Sequence, residues 1–208
     1  MTSRWWSRPI TADPAADSRP APGRARRWAG LGALLIGALL VWQNVAVRRT
    51  EAVVTSALTR HLLGVRTVTP SRFGDVVFFS VRPDYWSGIE ITAKCTAVVF
   101  LTPLAVGTGL LLYVGRFSCA RVALAAALSA ALMLTINFAR LVMLIAARLY
   151  TGVGGFHWAH IELGTWMSLA GAIGGVWVFY KVLTVGSGGR GGSDERGGAD
   201  ELSAVAAA

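Results

Sequence analysis

Four stretches of this chain run without a charged residue for about the thickness of a bilayer. They are 28–47 (WAGLGALLIGALLVWQNVAV), 95–115 (CTAVVFLTPLAVGTGLLLYVG), 122–139 (VALAAALSAALMLTINFA) and 164–180 (GTWMSLAGAIGGVWVFY). At 1.5 Å per residue, a helix of about 20 apolar residues crosses a hydrocarbon core of roughly 30 Å. A soluble domain spreads its apolar residues in periodic patches. Here 54% hydrophobic and 15% charged residues are segregated into blocks. The pattern predicts an all-α polytopic membrane protein with about four transmembrane helices, at 28–47, 95–115, 122–147 and 160–182. The first block is longer than a signal-peptide core and is followed by a poor cleavage site, so it reads as a retained signal anchor.

The net charge of +9 raises nucleic acid as a partner, but the location of the charge argues against it. Six arginines (Arg4, Arg8, Arg19, Arg24, Arg26, Arg27) precede the first span, and Arg116 and Arg121 flank the turn between spans two and three. Basic residues at those places hold segments in the cytoplasm and contact acidic membrane lipids. No nucleic-acid motif accompanies them. The path is therefore in–out–in–out–in across the cell membrane, with residues 48–94 as an extracytoplasmic loop region. That loop carries seven Lys/Arg against four acids, so the positive-inside pattern is not clean.

Residues 1–27 and 184–208 read as disordered cytoplasmic tails around a membrane domain at 28–183. In the loop, 51–65 (EAVVTSALTRHLLGV) has apolar residues at helical spacing, which predicts an amphipathic helix lying on the membrane surface. VVFFSV (76–81) and GIEITAKC (88–95), separated by RPDYWS, predict a β-hairpin whose second strand delivers Cys95 to the membrane surface. Trp42, Tyr85, Trp86, Tyr150, Phe156 and Trp158 fall at the outer interface, and Trp28, Tyr113 and Tyr180 at the inner one. Cys95 and Cys119 lie at opposite faces, too far apart to be bridged.

Three residues stand out along this path. Cys95 opens span two, Arg140 interrupts span three and His160 opens span four. Arg140 lies eighteen residues after Val122, about 27 Å up the helix, so a thiol, a guanidinium and an imidazole share one membrane depth. An arginine in an apolar run costs about 2.5–3.5 kcal/mol on insertion scales, which marks it as functional by default; snorkelling to the headgroups is the plain alternative. Asn137, three residues earlier on the same face, suits a bond to Arg140, to a substrate backbone or to a neighbouring helix. Alone, Cys95 is an ordinary small buried hydrophobe; beside cations it is a candidate nucleophile. His157, His160 and Glu162 lack a recognised ligand framework, so no metal is expected, and no cofactor either.

The three motifs KCTAVVF (Cys95, Thr96), NFAR (Asn137 to Arg140) and HIELG (His160 to Gly164), in this order, resemble the exosortase/archaeosortase family of membrane cysteine transpeptidases. The family pattern is a cysteine and a small or hydroxyl residue at the start of a span, then N-x-x-R, then H-x-x-x-G, and the last motif selects His160 over His157. The resemblance covers roughly residues 28–183. Lys94 and Ala97 stand where many members have Glu and Gly, and the chain is shorter than the eight-span members. The resemblance implies an enzyme that cleaves the C-terminal sorting signals of secreted proteins (a short motif, a transmembrane helix and a basic cluster) and transfers them to a surface acceptor. Cys95 would be the nucleophile, His160 the general acid/base and Arg140 the stabiliser of thiolate or oxyanion, with Asn137, Thr96 and Gly164 in support. The alternative is a non-enzymatic membrane assembly or scaffold subunit; a transporter is disfavoured by the few midplane polar groups and the lack of an inverted repeat.

Overall fold

The computed structural model describes residues 23–70, 72, 74–115 and 117–185. They form α1 (Arg24–Trp42), α2 (Asn44–Leu63), β1 (Thr67–Val68), β2 (Val76–Arg82), β3 (Tyr85–Glu90), α3 (Val98–Val114), α4 (Cys119–Trp158), a π-helical turn (Ala159–Leu163) and α5 (Gly164–Thr184). The chain is thus mostly helical with one small sheet. Two helical stretches are long and apolar enough to cross a membrane, Arg24–Trp42 and the run Cys119–Thr184; α3 is apolar but shorter. Most of the expected tails, 1–22 and 186–208, lies outside the described residues. The first helix starts at Arg24, before the expected span, because Arg26 finds partners: its Nε donates to Leu112 O at 3.0 Å and its Nη2 to Phe117 O.

Small residues set the helix pairing. Gly30 of α1 and Gly109 of α3 face each other so closely that a Cβ on Gly30 would lie 3.0 Å from Gly109 O. Further along, Gly37 faces Thr102 and Ala105, a register that makes the two helices antiparallel. Such close approach is typical of small-residue interfaces between apolar helices. The run from Cys119 to Thr184 reverses at Gly152, whose φ of 72° and ψ of −156° lie outside the helical region in a conformation that glycine adopts at little cost. Its two arms then pack antiparallel: Gly171 lies on Ile136, Gly175 on Met133, and Ser129 Oγ donates to Gly175 O at 2.9 Å. Those arms contain the expected spans 122–147 and 160–182.

The sheet sits beside α2. Its order is β1-β2-β3, all antiparallel, with Val77 opposite Ile89, Phe79 opposite Ser87 and an irregularity between Ser80 and Arg82. Strand alternation turns Val77 and Phe79 inward, as the two-residue period requires. They join Ala52, Ile91, Cys95, Leu141 and Ile145 in one apolar cluster, while Leu112, Val122, Ala125 and Leu183 form another. The expected hairpin is present, joined by β1, but its second strand stops at Glu90 rather than running to Cys95. Arg48 closes this edge, its Nη1 pairing with Asp75 Oδ2 at 2.9 Å and donating to Ile91 O at 3.2 Å.

Helix α2 departs most from expectation. Its buried residues are Glu51, Ala52, Thr55, Ser56 and Thr59, while Val53 and Leu62 are exposed. The polar stripe at 51, 55 and 59 faces the protein, the reverse of a helix lying apolar-side-down on a bilayer surface.

Candidate active site

Cys95 lies in a tight turn between β3 and α3, where its N–H donates to Thr92 O at 2.9 Å. This turn replaces the first residues of the span expected from 95. It buries Cys95, at 5% exposure, and buries Thr96 and Ala97 completely. The Thr96 hydroxyl receives the Val98 N–H at 3.4 Å, so the α3 N-terminus is capped locally as well as by a more distant group described below.

Arg140 reaches the thiol from α4. It is 6% exposed, and its Nη2 donates to Cys95 Sγ at 3.4 Å across 45 residues of sequence. Among the described residues this sulfur is its hydrogen-bond partner, no acid pairs with it, and its Nε is buried without a partner. A buried guanidinium without a carboxylate is costly, and the acceptor it does find is the sulfur. Space for its head comes from Gly164, where a Cβ would stand 3.1 Å from Arg140 Nε. The HIELG glycine thus packs closely on the NFAR arginine, and a Cβ there would press the guanidinium by a few tenths of an ångström.

Asn137 lies one turn before Arg140, 2% exposed, with both amide atoms lacking partners among the described residues. It makes no bond to Arg140. Together with Phe100, Ile136, Arg140 and Ser168 it lines a small cavity between α3, α4 and α5. His160, on the π-helical turn, stacks on Phe156 at 5.8 Å and 17°, and its Nδ1 is buried without a partner. The Arg140 charge acts on the imidazole, but no hydrogen bond joins His160 to Cys95. His157, Glu162 and Lys94 are exposed. Cys119 is exposed and, like Cys95, free. Among the described residues no group of three His, Cys, Asp or Glu is placed to hold a metal ion.

The structure also shows Glu51, which the sequence reading passed over. Its Oε1 accepts the Ala97 N–H at 2.7 Å across 46 residues, the Thr96 hydroxyl bears on the same carboxyl, and burial pushes its pKa up from the ordinary carboxylate value. The available signal was the spacing of Glu51, Thr55 and Thr59, four residues apart on one helical face.

The arrangement offers one sulfur, one cation donating to it and buried polar atoms with free hydrogen-bonding capacity on two elements: Asn137 Nδ2 and Oδ1 and Arg140 Nε on α4, and His160 Nδ1 on the π-helical turn. Buried polar atoms are normally satisfied, so the unpartnered atoms of Asn137 and Arg140, which line one small cavity, suit a site that receives a polar ligand. No protein-family model, curated protein or solved structure matches the chain.

Proposed function

We propose that this protein is a membrane-embedded cysteine peptidase or transpeptidase acting on the C-terminal sorting signals of secreted proteins. In this reading α1, α3 and the two arms that meet at Gly152 are four spans, and the sheet and α2 lie on the extracytoplasmic side. The observation that carries it is the buried Arg140, whose hydrogen-bond partner among the described residues is Cys95 Sγ. Acyl transfer builds negative charge first on sulfur and then on the carbonyl oxygen, and a preorganised guanidinium stabilises both.

The Cys95 thiol gives its proton to His160 and the thiolate Sγ attacks the scissile carbonyl carbon; the tetrahedral oxyanion then collapses as the C–N bond breaks, leaving a thioester on Cys95. His160, beside Arg140 but not bonded to the thiol, gives its proton to the departing amine. An amine, hydroxyl or water of the acceptor then attacks the thioester carbonyl, giving its proton to His160, and the C–S bond breaks to release Sγ as the thiolate facing Arg140. The Asn137 amide, unpartnered at the wall of a small cavity, would bind a substrate peptide group. No step needs a cofactor.

The test is co-expression with a secreted protein bearing a motif, one apolar span and a basic C-terminus. Cys95→Ala, Arg140→Ala and His160→Ala should leave it unprocessed while accumulating in the membrane; His157→Ala should process it normally. The burial of Cys95 favours a second reading, a non-enzymatic assembly subunit. That reading gains if the Cys95→Ala variant processes the substrate as the wild type does, or if no thioester on Cys95 can be trapped with hydroxylamine.

A further inference from the structure

Glu51 is a carboxylic acid buried to 3% exposure that the reaction described above does not use. It stands on α2, yet its Oε1 accepts the backbone N–H of Ala97, the residue that precedes α3. The first N–H groups of a helix have no partner within the helix, and here one is met from a distant segment. The acceptor binds two residues beyond Cys95, in the turn that carries the thiol. Two features show that α2 is built to present it. Arg48, three residues earlier, ties α2 to Asp75 and to Ile91 O, at the other end of the segment leading to Cys95. Thr55 and Thr59 continue the same inward stripe, fully buried.

We propose that Glu51 is a positioning residue: its carboxyl group clamps the Cys95–Thr96–Ala97 turn from α2 and so holds Sγ at the Arg140 guanidinium. The proposal rests on the peptidase reading for its catalytic consequence, but the clamp itself has a readout independent of it. Arg48 grips the turn's approach and Glu51 its exit, so one helix fixes both ends of the segment that bears the sulfur. What the clamp requires is an acceptor oxygen at the right reach, not a charge; a neutral carboxyl or an amide supplies the same carbonyl oxygen.

The experiment uses full-length protein in its native membrane with Cys119→Ser, so that N-ethylmaleimide reports Cys95 alone. Glu51→Ala should free the turn and raise the alkylation rate about ten-fold. Its kcat on the tailed substrate should fall about ten-fold with KM little changed. Glu51→Gln should restore both to near wild type. If Glu51→Ala does not accumulate, Glu51→Asp carries the test: its carboxyl is one methylene short of Ala97 N, so it should alkylate faster than Glu51→Gln. Unchanged alkylation in the Ala or Asp variant overturns the clamp, as does a Gln variant as impaired as Ala. A wild type that processes nothing refutes the peptidase reading, whereas the alkylation series still decides the clamp.

Discussion

In the proposed peptidase reading, replacing Gly164 by alanine separates catalytic geometry from stability. Gly164 has ordinary helical backbone angles (φ −61°, ψ −39°), so alanine introduces no backbone strain. In a helix alanine is favoured over glycine by about 0.5–1 kcal/mol. The conflict lies in the side chain: the new Cβ would stand 3.1 Å from Arg140 Nε, 3.4 Å from Ala159 O and 3.8 Å from Arg140 Nη2. The guanidinium must give by a few tenths of an ångström, and its bond to Cys95 Sγ, at 3.4 Å, has little slack. A misplacement of about 1 Å costs on the order of a hundred-fold in rate, so a shift of this size should lower kcat about ten-fold. Meanwhile Tm in detergent should change by no more than about 3 °C. Gly174→Ala is the control, since its Cβ would meet only Leu132 Cδ2, at an ordinary 3.4 Å; it should gain helix propensity and keep full activity. Measured together, processing rate and thermal unfolding decide the matter. Wild-type turnover by Gly164→Ala, or an equal loss in Gly174→Ala, refutes the argument that Gly164 exists to seat Arg140.

Two further outcomes follow from the packing and from the buried acid. Gly109→Ala would place a Cβ 2.8 Å from Leu34 Cγ and 2.9 Å from Gly30 O; overpacking of this kind costs about 1–3 kcal/mol, and a Tm equal to wild type would show that α1 and α3 are not locked there. Burial raises the Glu51 pKa above its ordinary 4.5, so the folded state holds that proton more tightly than the unfolded chain does. The stabilisation is fully present below pH 4.5 and is lost as pH rises through the folded-state value. Unfolding followed from pH 4 upward should therefore show a decline in the wild type that Glu51→Gln lacks; identical profiles would refute the assignment.

Much of the architecture was legible because it depends on local pattern. Uncharged blocks located the helices, and β-branched and aromatic runs around Pro-Asp marked the hairpin. The contact between Cys95 and Arg140 was approachable because rise per residue converts position on a helix into depth. Other features depended on partners far away in sequence. The start of α1 at Arg24 follows from carbonyls of Leu112 and Phe117, which periodicity cannot see. Past Glu90 the Ile91 N–H still meets Asp75 O, but Ile91 O goes to Arg48 and the chain turns between Thr92 and Cys95, which local pattern does not reveal. Helix α2 was read as an amphipathic helix with its apolar face on the membrane surface; instead its stripe Glu51, Thr55 and Thr59 turns in against the protein while Val53 and Leu62 face out. Glu51 stayed hidden for that reason, as its meaning lies in Ala97, on another element.

The close-packed pair α1/α3 carries the sulfur at its rim, and the pair formed by the arms around Gly152 carries the guanidinium. Their hydrogen bond thus spans the seam between two antiparallel helix pairs and works as a vernier of their alignment. A slip of one residue along the seam is 1.5 Å, enough to carry donor and sulfur out of reach. Whatever shifts one pair against the other, such as a helix wedged into the seam, would be read out at Cys95 before it disturbed either pair's own packing.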